Sequence, residues 1–357
     1  MKTTYFWALI LLFFGIVSCS STRNATDKKQ EATVGIQFSK NVELFGYLIH
    51  LAEPEGNDPE HPISQILAQG AEDINIPAVS RIYELGGSLP YSFFVELLYT
   101  LPEFPLPERY TFPSALLQKY GMDSAEEVAS MKELVKQLQL FYEASHFEQI
   151  WTDMEPHRTS TLALLRRNQP SGELFTEIEQ FYQQSFSAYQ IVPSLTVWSG
   201  PGWGPTIQRG EEQVATFILG PLAPNYDYSE GARFENLAIH EFGHSFVNHI
   251  VLSVGTEEIA ATQELFEPLR EAMFPQGYEN WETCVIEHFV RAGEVLIPET
   301  MGDTSASQAL LQDYTEQRSF VYLPFIIDQL RTYRLEQNLS YEEAVKKTLI
   351  DLQAANL

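Results

Sequence analysis

The sequence is poor in basic residues and in cysteine. Its 22 Lys and Arg residues face 48 Asp and Glu residues, which gives a formal net charge of −26. Binding to phosphate backbones requires clustered Lys and Arg, and no basic stripe interrupts the acidic sequence, so we expect no nucleic-acid partner. Two cysteines cannot supply a disulfide framework. With 44% hydrophobic and 13% aromatic residues, the chain is instead expected to fold around an apolar core.

The only long apolar run at the start of the chain is too short to span a bilayer. It covers about 13 residues, 5–17, whereas a transmembrane helix needs ~20. Lys2 precedes it and small residues follow it, as in an export signal. The order Ile16, Val17, Ser18, Cys19 resembles a bacterial lipobox, which implies cleavage after residue 18 and a lipid on Cys19. The alternative is an ordinary secretory signal that is cut near Ser20.

We therefore expect an exported protein, lipid-anchored to the periplasmic or cell-surface face of a bacterial membrane. Residues 1–18 would be the signal peptide. Residues 19–33 are small, polar and mixed in charge, and this composition predicts a flexible tether. If Cys19 carries the lipid, Cys284 has no disulfide partner, and we expect it to be a small buried hydrophobic residue.

The order of secondary-structure signals predicts a mainly helical α+β fold. Residues 34–190 form a mainly helical N-terminal region, and residues 191–357 begin with a small β-sheet before helices resume. The helices predicted in the first region are 41–52, 62–69, 90–100, 123–142 and 172–190, with an N-capping carboxylate at Asp123. The second region is predicted to contain strands at 195–198 and 214–219, then helices at 234–251, 256–273, 281–296, 305–333 and 341–352.

The segment NLAIHEFGHSFVNHI places two histidines four residues apart on a predicted helix. Positions i and i+4 project from one face, so His240 and His244 can both reach a single ion. Glu241 lies on the adjacent side, where its carboxylate can reach a water at the ion without being a ligand. This is the H-E-x-x-H pattern of a catalytic zinc site. The competing interpretation is an amphipathic helix that binds no metal.

The motif HEFGH, with a strand before it, resembles the zincin metallopeptidases. Over most of residues 34–357 the chain also resembles a bacterial family catalogued as domain of unknown function 4932, through HEFGHSFVN and EHFVRA. The zincin resemblance implies a zincin-like catalytic core with a small sheet, an active-site helix and C-terminal helices. It also implies that His240 and His244 are Zn²⁺ ligands and that Glu241 is the general base. The resemblance to the second family implies no substrate.

Zinc in such a site needs a third protein ligand. The metzincin spacing would require Gly and His where Val247 and Ile250 stand, and the thermolysin-related aminopeptidase spacing would require Glu where Gln263 stands. A glutamate on a later helix remains, as in the broader gluzincin group, and the candidates are Glu257, Glu258, Glu264, Glu282, Glu287 and Glu294.

We predict Glu287 as the third ligand, because it lies in the middle of a helix and Arg291, one turn later, could orient it. Glu282 and Glu258 are the reserve candidates. In the alternative, Glu287, Arg291 and Glu294 form a stripe that faces solvent. His288 is expected to pack in the core rather than bind metal.

The zincin resemblance further implies a donor that stabilises the oxyanion of the transition state. The segment DYTEQRSFVYLPF offers Tyr314, Arg318 and Tyr322, of which we predict Tyr322 as a catalytic residue. We expect the strand at 214–219 to hold an extended peptide by edge pairing.

Three functional hypotheses follow from these residues. The first is a lipid-anchored zinc metallopeptidase acting on a peptide or protein substrate. The second is a non-catalytic binding lipoprotein on a zincin-like scaffold. The third is a zinc hydrolase that acts on a non-peptide substrate. The sequence does not distinguish endopeptidase from exopeptidase action.

Overall fold

A computed structural model describes residues 34–52, 58–70, 79, 82, 91–197, 202–220, 231–336 and 338–355. The predicted signal peptide, the predicted lipid attachment site at Cys19 and the predicted tether lie outside these residues. Residues 32–357 form one compact unit. No helix in the described part of the chain is both long and apolar enough to cross a membrane.

The first strand of the sheet is separated from the other strands by a series of helices. Strand β1 (Val34–Ile36) leads into the first helix, and a second strand, β2 (Ala188–Pro193), follows the last helix of the series. The described helices between these strands are α1 (Lys40–Ala52), α2 (Pro62–Gln69), α3 (Tyr91–Thr100), α4 (Ser114–Lys119), α5 (Ala125–Ala144), α6 (Phe147–Asp153), α7 (Glu155–Asn168) and α8 (Gly172–Tyr182).

The sheet is mixed and contains five described strands. Strands β3 (Gly202–Trp203) and β4 (Thr206–Arg209) both pair antiparallel with β5 (Glu212–Leu219), and a two-residue turn joins β4 to β5. On its other side β5 pairs parallel with β2, which pairs parallel with β1. The strand order is therefore β1-β2-β5-β3, with β4 beside β5 next to β3.

The remaining chain is helical, and two of its helices carry the candidate site. The described helices are α9 (Gly231–Val254), α10 (Thr256–Ala261), α11 (Arg270–Met273), α12 (Trp281–Thr300), α13 (Thr304–Gln312), α14 (Leu323–Glu336) and α15 (Tyr341–Ala354). Helix α9 packs against β5 on one side and α12 on another. The architecture is thus mainly helical α+β, as the sequence predicted.

Several element boundaries differ from the predictions. Helix α5 is capped one residue later than expected, because Ser124 and Glu127, rather than Asp123, form a reciprocal capping box. The helix predicted at 172–190 ends at Tyr182, and its last residues belong to β2. The predicted strand at 195–198 is wrong for its described residues: the Ser194 hydroxyl accepts hydrogen bonds from the two backbone amides at 196 and 197, which makes a turn.

The helix predicted at 305–333 is interrupted. A π-helical turn at Asp313–Gln317 follows α13, and α14 starts anew at Leu323. Pro324 stands in the first turn of α14, where its missing N–H costs nothing, and it marked this boundary in the sequence. The predicted helix at 256–273 likewise divides into α10, a 3₁₀ turn and α11.

A fully buried carboxyl group connects α1 to the segment after β2. The side chain of Glu43 is 0% exposed and accepts a 2.8 Å hydrogen bond from the backbone N–H of Leu195. Its other oxygen, Oε2, has no hydrogen-bond partner among the described residues. Burial raises the pKa of Glu43 to about 7, although hydrogen bonds from Thr196, Leu195 and Ser194 oppose the increase.

We expect Glu43→Gln to remove part of the pH dependence of folding. Between pH ~4.5 and ~7 the folded protein keeps a proton that the unfolded chain releases, so this group makes the free energy of unfolding fall as pH rises. From pH 4 to pH 8 the stability of Glu43→Gln relative to wild type should increase by on the order of 3 kcal/mol. Urea unfolding at both pH values measures this, with Glu271→Gln, at an exposed position on α11, as the control. An unchanged pH slope would contradict the assignment.

Candidate metal centre

Helix α9 has one face in the core and another on a cavity. Phe242 packs its ring against Phe175, Tyr189 and Phe217, and Phe246 stacks on Tyr182 at 4.8 Å between ring centroids. These contacts fix the rotation of the helix about its axis. His240 and His244 then lie on the cavity side, and both line the cavity.

Helix α12 brings acidic residues to the same place. Asn280 caps its N-terminus, because the Asn280 side chain accepts a hydrogen bond from the backbone N–H of Thr283. Glu287, Arg291 and Glu294 lie on the side of α12 that faces α9, and they are 7%, 6% and 2% exposed. The alternative in which these three residues form a solvent-facing stripe is therefore wrong.

Close packing between α8, α9 and α12 depends on a glycine. A Cβ atom at Gly293 would lie 2.2 Å from the hydroxyl oxygen of Tyr182, which is buried between the helices. A side chain there would displace the ring, so the glycine allows α12 to approach. Because Gly293 lies beside Glu294 on α12, this packing also helps to place the acidic residues.

The two histidines and Glu287 form a compact set of potential ligands. The Nε2 atoms of His240 and His244 are 3.3 Å apart, and Glu287 Oε1 lies 3.4 Å from His244 Nε2. Glu287 Oε2 is 3.8 Å from His240 Nε2. One atom from each residue can be chosen so that all lie within 4.8 Å of one another, so the set could hold a metal ion.

Each histidine uses its other ring nitrogen for a hydrogen bond. Nδ1 of His240 lies 2.9 Å from Glu294 Oε2, and Nδ1 of His244 lies 3.0 Å from Asn248 Oδ1. Both acceptors are oxygens, so each Nδ1–H donates, and when a metal ion is bound the lone pair of each Nε2 would face it. Glu294 also accepts hydrogen bonds from Asn236 at 3.1 Å and Tyr314 at 2.8 Å.

Arg291 and Tyr278 both contact the Oε2 atom of Glu287. Arg291 Nη2 is 3.4 Å from Glu287 Oε2, and the same nitrogen donates a 2.8 Å hydrogen bond to the hydroxyl of Tyr278. That hydroxyl donates to Glu287 at 3.2 Å. Arg291 also lies 3.6 Å from Glu294, so one guanidinium neutralises two buried carboxylates.

The local charges shift the pKa values in opposite directions. Burial alone would raise the pKa of Glu287, but His244, His240 and Arg291 outweigh it and hold the pKa well below its usual range. Burial would lower the pKa of His244, yet the Glu287 carboxylate raises it to about 9. In contrast, burial dominates at Glu241 and raises its pKa despite the neighbouring histidines.

Glu241 lies against strand β3. A Cβ atom at Gly204 would be 1.8 Å from the backbone oxygen of Glu241, so only glycine allows the chain to cross the helix at this point. A Cβ at Gly202 would come 2.8 Å from Glu241 Oε1. The carboxyl group is 4% exposed and lines the cavity without being one of the three clustered ligands.

The cavity has a volume of about 1420 Å³ and is lined by parts of α3, α4, β3, β4, α9 and the segment before α12. Its lining includes Trp203, Arg233 and Leu237. Among the described strands, β3 and β4 are the terminal ones on this side of the sheet. Strand β5, which we expected to hold an extended peptide by its edge, is paired on both sides, so that prediction is wrong.

The structure brings together four of the five predicted site residues: His240, Glu241, His244 and Glu287. Tyr322 is not among the cavity-lining residues; its hydroxyl donates a 2.9 Å hydrogen bond to the backbone oxygen of Leu265. The tyrosines that line the cavity are Tyr120, Tyr278 and Tyr314. The contacts of Tyr278, Asn236 and Asn248 were not predicted, although Asn248 stands one turn after His244 on the same face.

The two reserve candidates for the third ligand, Glu282 and Glu258, lie away from the two histidines. Glu282 is exposed in the first turn of α12, and Glu258 lies 3.6 Å from Lys346. Neither lines the cavity. His288 is 1% exposed with Nδ1 2.7 Å from the backbone oxygen of Cys284, and Cys284 is itself fully buried. Both residues are therefore part of the core, as predicted.

Comparison with known proteins identifies the family but no relative of known function. No curated protein and no solved structure matches the chain. The model of a family described as Domain of unknown function (DUF4932) matches residues 115–346, which include both helices that carry the candidate metal ligands. The chain therefore belongs to the DUF4932 family.

Proposed function

We propose that this chain is a zinc metallopeptidase with a zincin-like core, anchored through a lipid on Cys19 to the periplasmic or cell-surface face of a bacterial membrane. One observation carries the proposal. Two imidazole nitrogens and a carboxylate converge at one point, and a second carboxylate, that of Glu241, stands beside them with a raised pKa. Three protein ligands with a nearby general base are the parts of a catalytic zinc site.

The spacing of the ligand atoms is close to that of a zinc site. Ligands at ~2.0–2.1 Å from a tetrahedral zinc ion are about 3.3 Å from each other. The two Nε2 atoms are 3.3 Å apart, His244 Nε2 is 3.4 Å from Glu287 Oε1, and His240 Nε2 is 3.8 Å from Glu287 Oε2, so a small movement of the Glu287 side chain would close the set. Two nitrogens and one oxygen also favour zinc over calcium or magnesium, which prefer oxygen ligands alone.

His240, His244 and Glu287 would hold the ion, which supplies Lewis-acid polarisation of a substrate carbonyl and lowers the pKa of a bound water. Glu241 takes a proton from the attacking water and passes it to the leaving amine. Its position suits this role, because the carboxyl group is buried on the cavity wall beside the three ligands without being one of them. Glu294 and Asn248 fix the ring orientation of the two histidines.

A peptide substrate would bind as an added strand along β3. This strand is terminal in the sheet, lies directly over Glu241 and lines the cavity. Backbone pairing holds an extended peptide independently of its sequence, and the cavity then accommodates its side chains. This arrangement, rather than the shape of the cavity alone, favours peptides over other substrates.

The test is cleavage of a mixed peptide library by purified protein, followed by mass spectrometry. We expect cleavage to disappear after removal of metal with a chelator and to return with one equivalent of zinc. Stoichiometric zinc binding without cleavage of any peptide would favour a zinc hydrolase with another substrate. Failure to bind zinc would contradict the proposal and favour a non-catalytic binding lipoprotein.

Replacing Glu294 with Gln should weaken zinc binding without removing a ligand. The charge that accepts the His240 Nδ1 proton is lost, and such outer partners typically contribute ~10–100-fold to metal affinity. Zinc affinity is measured by competition with a chromophoric chelator. The matched control is Glu299→Gln, on the same helix, whose carboxylate contacts Arg331 instead. Equal zinc affinity in Glu294→Gln and the control would contradict the role of Glu294.

A further inference from the structure

Most of the positive charges around the cavity are neutralised by a carboxylate. Lys119 lies 3.0 Å from the carboxylate of Glu96, Arg318 lies 2.8 Å from Asp313, and Arg291 contacts Glu287 and Glu294. Arg233 also lines the cavity and is exposed. Within the part of the chain that the structure describes, Arg233 has no hydrogen bond or ion pair with another residue.

Arg233 lies on the face of α9 that carries the metal ligands. It precedes His240 by seven residues, which is nearly two full helical turns, so the two side chains leave the helix in almost the same direction. Seven residues also correspond to about 10 Å along the helix axis. Arg233 thus lines the same cavity as His240, and its Cα lies about 10 Å from that of His240 along the helix axis.

A cation that contacts no carboxylate of the described residues is unusual for this chain. The protein has 48 acidic residues and only 22 basic ones, so most of its surface repels anionic groups. A guanidinium offers two parallel N–H donors that match a carboxylate. An uncompensated arginine in the groove therefore selects for a carboxylate, and it disfavours a positive group at the same position by charge repulsion.

We propose that Arg233 is a specificity-determining residue that binds a carboxylate of the substrate within three residues of the cleaved bond. This inference rests on the proposed peptidase function. An extended peptide advances ~3.3 Å per residue, so about three residues span the ~10 Å that separate His240 from Arg233 along the helix axis. The substrate class is thus acidic peptides, and the carboxylate is either an Asp or Glu side chain or the C-terminal carboxylate.

The test measures binding of peptide hydroxamates, in which the hydroxamate group binds zinc and the peptide lies in the groove. One set of probes carries Glu at the first, second or third position from the hydroxamate and has an amidated C-terminus. A second set carries Gln at these positions, and a third carries Gln with a free C-terminal carboxylate.

Calorimetry with zinc-loaded wild type, Arg233→Gln and Arg167→Gln gives the dissociation constants. Arg167 is an exposed arginine on α7 that does not line the cavity.

We expect one acidic probe to bind wild type and Arg167→Gln about tenfold more tightly than its neutral counterpart, as an exposed charge-assisted hydrogen bond should contribute. The difference should vanish in Arg233→Gln, while zinc content stays the same. Tighter binding of a Glu probe would identify a side-chain carboxylate as the group that Arg233 binds. Tighter binding of a probe with a free C-terminus would identify the C-terminal carboxylate. Equal binding of all probes to wild type, or a preference that persists in Arg233→Gln, would overturn the inference and leave the peptidase proposal intact. If zinc-loaded protein bound no probe at all, the peptidase proposal would fail as well.

Discussion

Replacing Glu241 with Gln is expected to lower kcat for peptide cleavage by about 10²–10⁴-fold, because the amide cannot accept the proton of the attacking water. Zinc should remain bound with unchanged stoichiometry, since Glu241 is not one of the three clustered ligands. The glutamine has nearly the same shape, so the packing of β3 over the helix is preserved. Steady-state kinetics on a peptide found in the library, together with elemental analysis of the same samples, measure both quantities.

The control for this variant is Glu235→Gln on the same helix, which changes the charge equally but lies outside the residues that line the cavity. It should keep wild-type kcat. Equal activity of Glu241→Gln and wild type would refute the general-base role. Loss of both activity and zinc would mean that Glu241 binds the metal or supports the fold, rather than transferring a proton.

Replacing Glu287 with Gln should lower zinc affinity more than replacing Glu294 with Gln does. This carboxylate lies within 3.8 Å of both imidazoles and is held ionised by its charged neighbours. A neutral amide is a poor zinc ligand, so we expect the dissociation constant to rise by more than the ~10–100-fold typical of an outer partner. Chelator competition measures the constant, and peptide cleavage should fall in parallel at limiting zinc.

Glu282→Gln is the matched control for Glu287→Gln. It lies on the same helix, was the reserve candidate for the third ligand and is exposed outside the cavity. Zinc affinity of Glu282→Gln should equal that of wild type. If Glu287→Gln retained wild-type affinity, the third ligand would have to be another group, and the assignment of the centre would be wrong.

Local sequence was sufficient to predict the parts of the site that lie on one helix. His240, Glu241 and His244 are fixed by helical spacing, and the apolar positions Phe242 and Phe246 determine which face is buried. Glu287 could be predicted because Arg291 follows one turn later. The reason for its placement, however, lies in the packing of α12 against α9 around Tyr182 and Gly293, which no local pattern reveals.

Predictions that depended on pairing between distant segments were less successful. The strand signal at 214–219 was correct, but its position inside the sheet depends on β2 and on the β3–β4 segment, which lie elsewhere in the chain. Similarly, Tyr322 and Tyr314 were equivalent in the sequence. The break between α13 and α14 places Tyr314 in the cavity and leaves Tyr322 with its hydroxyl on the Leu265 carbonyl oxygen.

The most direct test of the account is X-ray absorption at the zinc edge of the purified protein loaded with one equivalent of zinc. We predict four nitrogen or oxygen neighbours at ~2.0–2.1 Å, with the outer scattering of two imidazole rings and no sulfur. Both His240→Ala and His244→Ala should lose one imidazole contribution. A spectrum of hydrated zinc, or one that neither histidine variant alters, would contradict a metal centre built from His240, His244 and Glu287.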